Sequence, residues 1–183
     1  VPDDEETTTM NQNYTKTDKL TYIALLTAVS TLAVGFLRVP SPYGGIIHFG
    51  DSVIFITSIF FGPLAGAFVG GVGHSIANIL FGPQIFAPWT LVIKAIMGLV
   101  VGIIAHRQTI ASVRLWISFV CALAILLVGY FIAATVIFST GGSAAAPVPL
   151  SFAISNSIQW IASVIATVAL LPIVNKILRR NKL

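Results

Sequence analysis

Apolar residues in this chain fall in long, nearly unbroken runs, not in the alternation of a half-buried strand or the single stripe of a soluble helix. Six such runs cover residues 20–37, 46–61, 64–81, 89–105, 115–138 and 152–174. A helix crossing a hydrocarbon core of about 30 Å needs about 20 apolar residues. The pattern therefore predicts an all-α integral membrane protein with six transmembrane helices, the second being short. The breaks are sharp. Arg38-Val-Pro-Ser-Pro-Tyr-Gly-Gly holds two prolines and two glycines in eight residues, which predicts an irregular loop without a backbone ladder. Gly62-Pro63 ends the second run, with the proline suited to the first turn of the third. Gly82 to Pro88 forms the next break, and residues 139–151, STGGSAAAPVPLS, read as a flexible loop. Glycines recur at four-residue spacing, at Gly62, Gly66 and Gly70 and again at Gly98 and Gly102, and such rows let another helix backbone come close.

Composition agrees with that outline. The 183 residues have a mean hydropathy of +0.95 and only 9% charged side chains, too little polar surface to face water. Residues 1–9, VPDDEETTT, precede Met10 and read as a cloning remnant, leaving 10–183 as one six-helix domain. Those nine residues hold four of the six acids. Beyond them ten Lys and Arg face only Asp18 and Asp51, so the remainder carries +8. With six spans, Lys16, Lys19, Arg107, Arg114 and the tail bases Lys176, Arg179, Arg180 and Lys182 share one side, and Arg38 stands alone on the other. That bias predicts cytoplasmic N and C termini in the cell membrane. Bases at span ends form no continuous stripe, which argues against nucleic-acid binding. The single Cys121 lies in an apolar run and provides neither a disulfide nor a thiolate site.

The candidate chemistry lies in the few polar residues at membrane depth, each costly unless compensated. Asp51 opens the second run and reads as an N-cap, an ion-pair partner of Lys94 or Arg38, or a ligand contact. His74 and Asn78, four apart, share a helix face and serve either as interhelical glue or as pocket groups. Lys94 lies about five residues into the fourth run, roughly 8 Å below its outer end at about 1.5 Å per residue. It either snorkels to the surface or points inward to a partner or ligand. Asn156, Gln159 and Trp160 bring two amides and an indole onto nearly one face, which suits a small heteroaromatic ligand as well as an aromatic belt with interhelical amides. His48 and His74 are too few for a metal site, and no HExxH spacing exists. There is no P-loop, selectivity-filter signature, GxSxG or paired-carboxylate motif, so neither an enzyme nor a self-powered pump is expected.

At HFGDSVIFITSIFFGPLAGAFVGGVGHSIANILFG followed by APWTLVIKAIMGLVVG, the chain resembles the S components of energy-coupling factor (ECF) vitamin transporters. It is most similar to the branch with GD before the second helix, GPLAGA at its end and APWTLxIKxxxG opening the fourth, over about residues 44–104. The resemblance implies a substrate-binding subunit of an ABC-type importer that takes a vitamin from outside and delivers it by toppling within a complex. The partners would be a transmembrane coupling protein and two ABC-type ATPases that hydrolyse the ATP; this chain itself would hold no cofactor and no metal. Ala24 and Ala28 match the AxxxA pattern for docking on the coupling protein. By position the implied substrate contacts are Trp89, Lys94, Asn156, Gln159 and Trp160, with Tyr43, His48 and Phe86 from the loops. Asp51, His74 and Asn78 stand between substrate-facing and structural roles. The branch points to hydroxymethylpyrimidine or pyridoxine, with pantothenate or riboflavin as alternatives; the helix 6 signature of a thiamine binder and the acidic cluster of cobalt and nickel subunits are absent. Outside this family, a solitary facilitator or a membrane scaffold fits the same composition.

Overall fold

The computed structural model describes residues 16–42, 46–140 and 149–180. Its elements are α1 (Lys16–Phe36), a hairpin of β1 (Arg38–Pro40) and β2 (Ile46–His48), α2 (Gly50–Phe61), α3 (Pro63–Phe68), a π-helical segment (Val69–Gly73), α4 (His74–Phe81), a 3₁₀ turn (Gln84–Phe86), α5 (Ala87–Ala105), α6 (Val113–Thr140) and α7 (Pro149–Arg180). Five helical stretches are long and apolar enough to cross a membrane, with α3, the π segment and α4 counting as one, Pro63–Phe81. The chain is an all-α, multi-span membrane protein. The remaining apolar run is the exception in length: α2 has 12 residues, about 18 Å at 1.5 Å per residue, well short of the hydrocarbon core.

The shortfall has a local cause. Residues 46–48, expected inside the second helix, instead pair with 38–40 in an antiparallel ladder, Arg38 opposite His48 and Pro40 opposite Ile46. The expectation of an irregular first loop is thus corrected: proline tolerates an edge strand, where no ladder N–H is asked of it. The helices α1, α6 and α7 run past their apolar runs to Lys16, Thr140 and Arg180, because apolar length marks what lipid covers and not where backbone hydrogen bonding stops. The loop expected over 139–151 is cut back at both ends, since 139–140 finish α6 and 149–151 begin α7; residues 141–148, like 1–9, lie outside the described residues.

α5 is the central helix, packed by α2, α3, the π segment, α4 and α6, while α1 closes over α2, α4 and the π segment and α7 over α6 and α2. Ile54, Phe55 and Ile59 of α2, Met97 and Val101 of α5, Leu115, Phe119 and Leu126 of α6 and Leu171 of α7 form the buried core. The α3–α5 contact is backbone on backbone. A Cβ on Gly98 would collide with the Gly66 carbonyl, and one on Gly102 with Pro63. The two glycine rows in the sequence are each other's partners, and Ser58 Oγ seals the crossing by donating to the Gly98 carbonyl at 2.9 Å. Beyond the end of α3, VGGVG relaxes into the π segment, where Gly70 and Gly71 lie against the Lys94 and Leu91 carbonyls. His74 follows this segment directly and reaches Asp51 of α2, and π-bulges are often found beside functional groups.

Gly98→Ala and Gly102→Ala are each expected to lower the unfolding temperature clearly, because the obstructing atoms are backbone and overpacking costs about 1–3 kcal/mol or more. Gly129→Ala, which meets only the Ile93 side chain, is expected to cost less. Thermal unfolding of the three variants in detergent checks the order.

Candidate functional site

Asp51 stands in the second position of α2, fully buried. It does not cap that helix: the residue before the helix is Phe49, with no side-chain cap. Its Oδ1 accepts from Lys94 Nζ at 2.6 Å and from His74 Nε2 at 3.1 Å, and its Oδ2 accepts from Gln159 Nε2 at 2.8 Å. Four helical elements, α2, α4, α5 and α7, thus meet on one carboxylate. A buried carboxylate is held more readily when several donors share its charge, and His74 and Gln159 add two to the Lys94 ammonium. Since the carboxylate only accepts, Nε2 of His74 carries a hydrogen, and its Nδ1 lies 3.1 Å from Ser30 Oγ on α1. Lys94 Nζ also lies 5.8 Å from the centre of the Tyr130 ring, within cation–π range. Arg38 takes no part in this pairing; its guanidinium donates to the Phe81 carbonyl at the end of α4.

Beside this network is a cavity of about 300 Å³. Gln159, Asn156 and Ser155 line it from α7, Asn78 and Ala77 from α4, Phe86 from the 3₁₀ turn, Tyr130 from α6, Phe152 from the start of α7, and His48, Ile46 and Arg38 from the hairpin. The hairpin is tied to α7 through Ser41 and Ser155, whose hydroxyl oxygens are 2.7 Å apart. Phe86, Tyr130, Phe138 and Phe152 form an aromatic cluster along one wall. Asn78 donates to Thr90 Oγ1 at 2.7 Å, and Thr90 Oγ1 lies 2.9 Å from the Tyr130 hydroxyl. His48 Nδ1 is buried with no partner among the described residues. Burial pushes the His48 imidazole down to about 3, so at neutral pH it is uncharged.

Of the residues singled out from sequence, His48, Asn78, Phe86, Asn156 and Gln159 line the cavity. Asp51, His74 and Lys94 form the layer behind it, reaching it through Gln159. Trp89 packs, half-buried, on the aromatic cluster. Trp160 turns to the core and donates its indole N–H to the Phe119 carbonyl at 2.9 Å, away from the face its spacing to Asn156 suggested. Tyr43 lies outside the described residues. Tyr130 and Phe152 carry more of the cavity than their place in the sequence suggested. Tyr130 had a signal, a lone phenol in an apolar run; Phe152 had none. His48, Asp51 and His74 place one potential ligand atom each within 4.8 Å of one another, but a metal ion there would have to displace the Lys94 ammonium from the carboxylate.

Lys94→Met alone is expected to cost roughly 3–5 kcal/mol, since it leaves a buried carboxylate without its counter-charge. Asp51→Asn together with Lys94→Met is expected to recover most of that loss. Equilibrium unfolding of the single and paired variants measures the difference.

Comparison with known proteins adds a family. Residues 14–178 match the family model of the ECF-type riboflavin transporter S component. A Pyrococcus woesei protein, described only by its place in the gap 3′ region, is 34% identical over 116 residues, 63% of this chain and 77% of its own length. A UPF0397 protein of Streptococcus pneumoniae serotype 19F (strain G54) is 32% identical over 87 residues, 46% of this chain and 47% of that relative's length. With the match running through every described span, from α1 to within two residues of the end of α7, the chain belongs to the family of S components of ECF-type riboflavin transporters.

Proposed function

We propose that this subunit captures a small, uncharged, single-ring vitamin or vitamin precursor, with hydroxymethylpyrimidine or pyridoxine favoured, from the outer side of the cell membrane. The observation that carries the reading is the cavity itself. At about 300 Å³ it sits at the bottom of the range of roughly 300–1,000 Å³ usual for small-molecule pockets. It offers aromatic faces from Phe86, Tyr130 and Phe152, amides from Asn78, Asn156 and Gln159, and a neutral imidazole. The acid nearest to it, Asp51, is already engaged by Lys94, His74 and Gln159. Flat aromatic walls with groups that donate and accept fit a polar heteroaromatic ring, and a carboxylate already occupied by its own partners disfavours a cation. The riboflavin of the family description is the second reading, favoured by that match alone, and it asks a three-ring ligand to enter a pocket of single-ring size.

In this reading the ligand is handed inward within a complex containing the coupling protein and two ATPases, which supply the energy this chain has no motif to harvest. The bias of basic residues supports a cytoplasmic position for both termini. Ala24 and Ala28 are exposed on α1, and small side chains there leave room for a partner helix.

Titration of the purified protein with hydroxymethylpyrimidine, pyridoxine, pantothenate and riboflavin tests the substrate. Saturable binding of a one-ring compound is expected; tight binding of riboflavin alone would replace this reading with the second. Because His48 stays neutral far below its ordinary value, affinity is expected to be flat from about pH 5.5 to about pH 8, and a step near pH 6.5 would count against the buried, uncharged imidazole. Ala28→Trp is expected to abolish uptake by cells expressing the whole complex while changing ligand affinity by less than about twofold, since α1 bears none of the amides of the cavity. A large loss of affinity in that variant would remove the docking assignment.

A further inference from the structure

The orientation of one amide in the cavity wall is dictated by its neighbours. A side-chain amide can present either its oxygen or its nitrogen, and the two are told apart by their partners. Gln159 is 2% exposed and has its amide against Asp51 Oδ2 at 2.8 Å. An ionised carboxylate accepts and cannot donate, so the nitrogen must face Asp51. Lys94, 2.6 Å from the other oxygen, keeps that carboxylate ionised. Gln159 also lines the cavity, and among the described residues nothing donates to its Oε1, although that atom is not sealed from the cavity.

We infer that Gln159 sets ligand specificity at the buried end of the cavity by presenting a fixed carbonyl oxygen, and that Asp51, held by Lys94, is its positioning residue. The ligand class this selects is a ring bearing an N–H donor, such as an exocyclic amine. A ring with only acceptors there would face Oε1 with a lone pair and leave it unsatisfied, a loss that a flexible amide would avoid by turning over. Here turning over would set the amide oxygen against the carboxylate. The other amides lack this constraint: the Asn156 side chain makes no hydrogen bond among the described residues, and Asn78 contacts a Thr90 hydroxyl that either donates or accepts. This inference rests on the cavity being the ligand site, and its test separates the two.

The probes are 4-amino-5-hydroxymethyl-2-methylpyrimidine and its 4-methoxy counterpart, which keeps the ring and lacks the N–H. Calorimetric titration of the purified full chain is expected to show the amino compound bound about tenfold or more tightly, the usual scale for one unsatisfied buried acceptor. In Gln159→Met the advantage should disappear, with the amino compound falling to the level of the methoxy one. In the paired variant Asp51→Asn with Lys94→Met, the amide introduced at position 51 keeps its oxygen toward His74 and turns its NH₂ toward Gln159, so the Gln159 amide is free to reverse. There the preference should vanish or invert while the protein still binds, a change that mere loosening of the site would not produce. Equal affinities in the parent protein, or an amino preference that survives in both variants, would overturn the inference. So would failure of both pyrimidines to bind; binding of pyridoxine or riboflavin in the same protein would then leave the cavity reading standing, and binding of no ring at all would bring down both.

Discussion

One buried negative charge organises the half of this protein that holds the cavity. Asp51 is sealed from solvent, so it survives only by drawing donors from three other helical elements: Lys94 from α5, His74 from α4 and Gln159 from α7. Each donor is a polar side chain on a helix of a largely apolar chain, and each would be costly alone in lipid. Together they satisfy the carboxylate, and sharing it constrains how the four segments stand relative to one another. Buried ion pairs are weak contributors to net stability when set against an apolar replacement. The value of this one is geometric, since it fixes where the cavity wall stands and which atom of Gln159 faces it.

The other half is held by a different means. There α3 and α5 cross with backbones in contact, glycine against glycine, a close approach that side chains larger than hydrogen would block. That crossing anchors α5, and α5 carries Lys94, Thr90 and Ile93 toward the cavity. Between the two regions lies the π segment, with Gly70 against the Lys94 carbonyl and His74, which follows it, on Asp51. The short α2 and its preceding hairpin complete the scheme. Because α2 starts at Gly50, non-helical backbone reaches inward beside it, which a bilayer tolerates only when the polar groups are paired and enclosed by protein. The ladder of β1 and β2 pairs them, and the hairpin brings His48 and Arg38 to the cavity wall.

These two halves suit membership of a transporter family whose member here carries no nucleotide-binding motif. The bracing of Asp51 by three other elements accounts for the polar side chains buried beside the cavity, and α1 keeps the small residues Ala24 and Ala28 exposed.

Much of this was legible in the chain itself. The membrane class, the number of apolar runs and the helix breaks at Gly62-Pro63 and Gly82-Pro83 follow from hydropathy and backbone chemistry, which are properties of residues in series. The polar residues that matter were visible for the same reason: Asp51, His74, Lys94 and Gln159 stand out because lipid punishes them. What could not be read was whom each one meets. Asp51 near a helix start satisfies capping rules as well as pairing rules, and Trp160 shares a helical face with Asn156 until neighbouring helices divide that face between core and cavity. The hairpin was hidden because two three-residue strands leave no periodicity of their own, and the π segment because glycines at close spacing suit a straight packed helix equally well. Sequence determined the cost of each polar group, a local quantity; only the packing of helices distant in the chain decided which partner would meet that cost, because hydrogen bonds and ion pairs depend on positions in space that spacing along one helix does not contain.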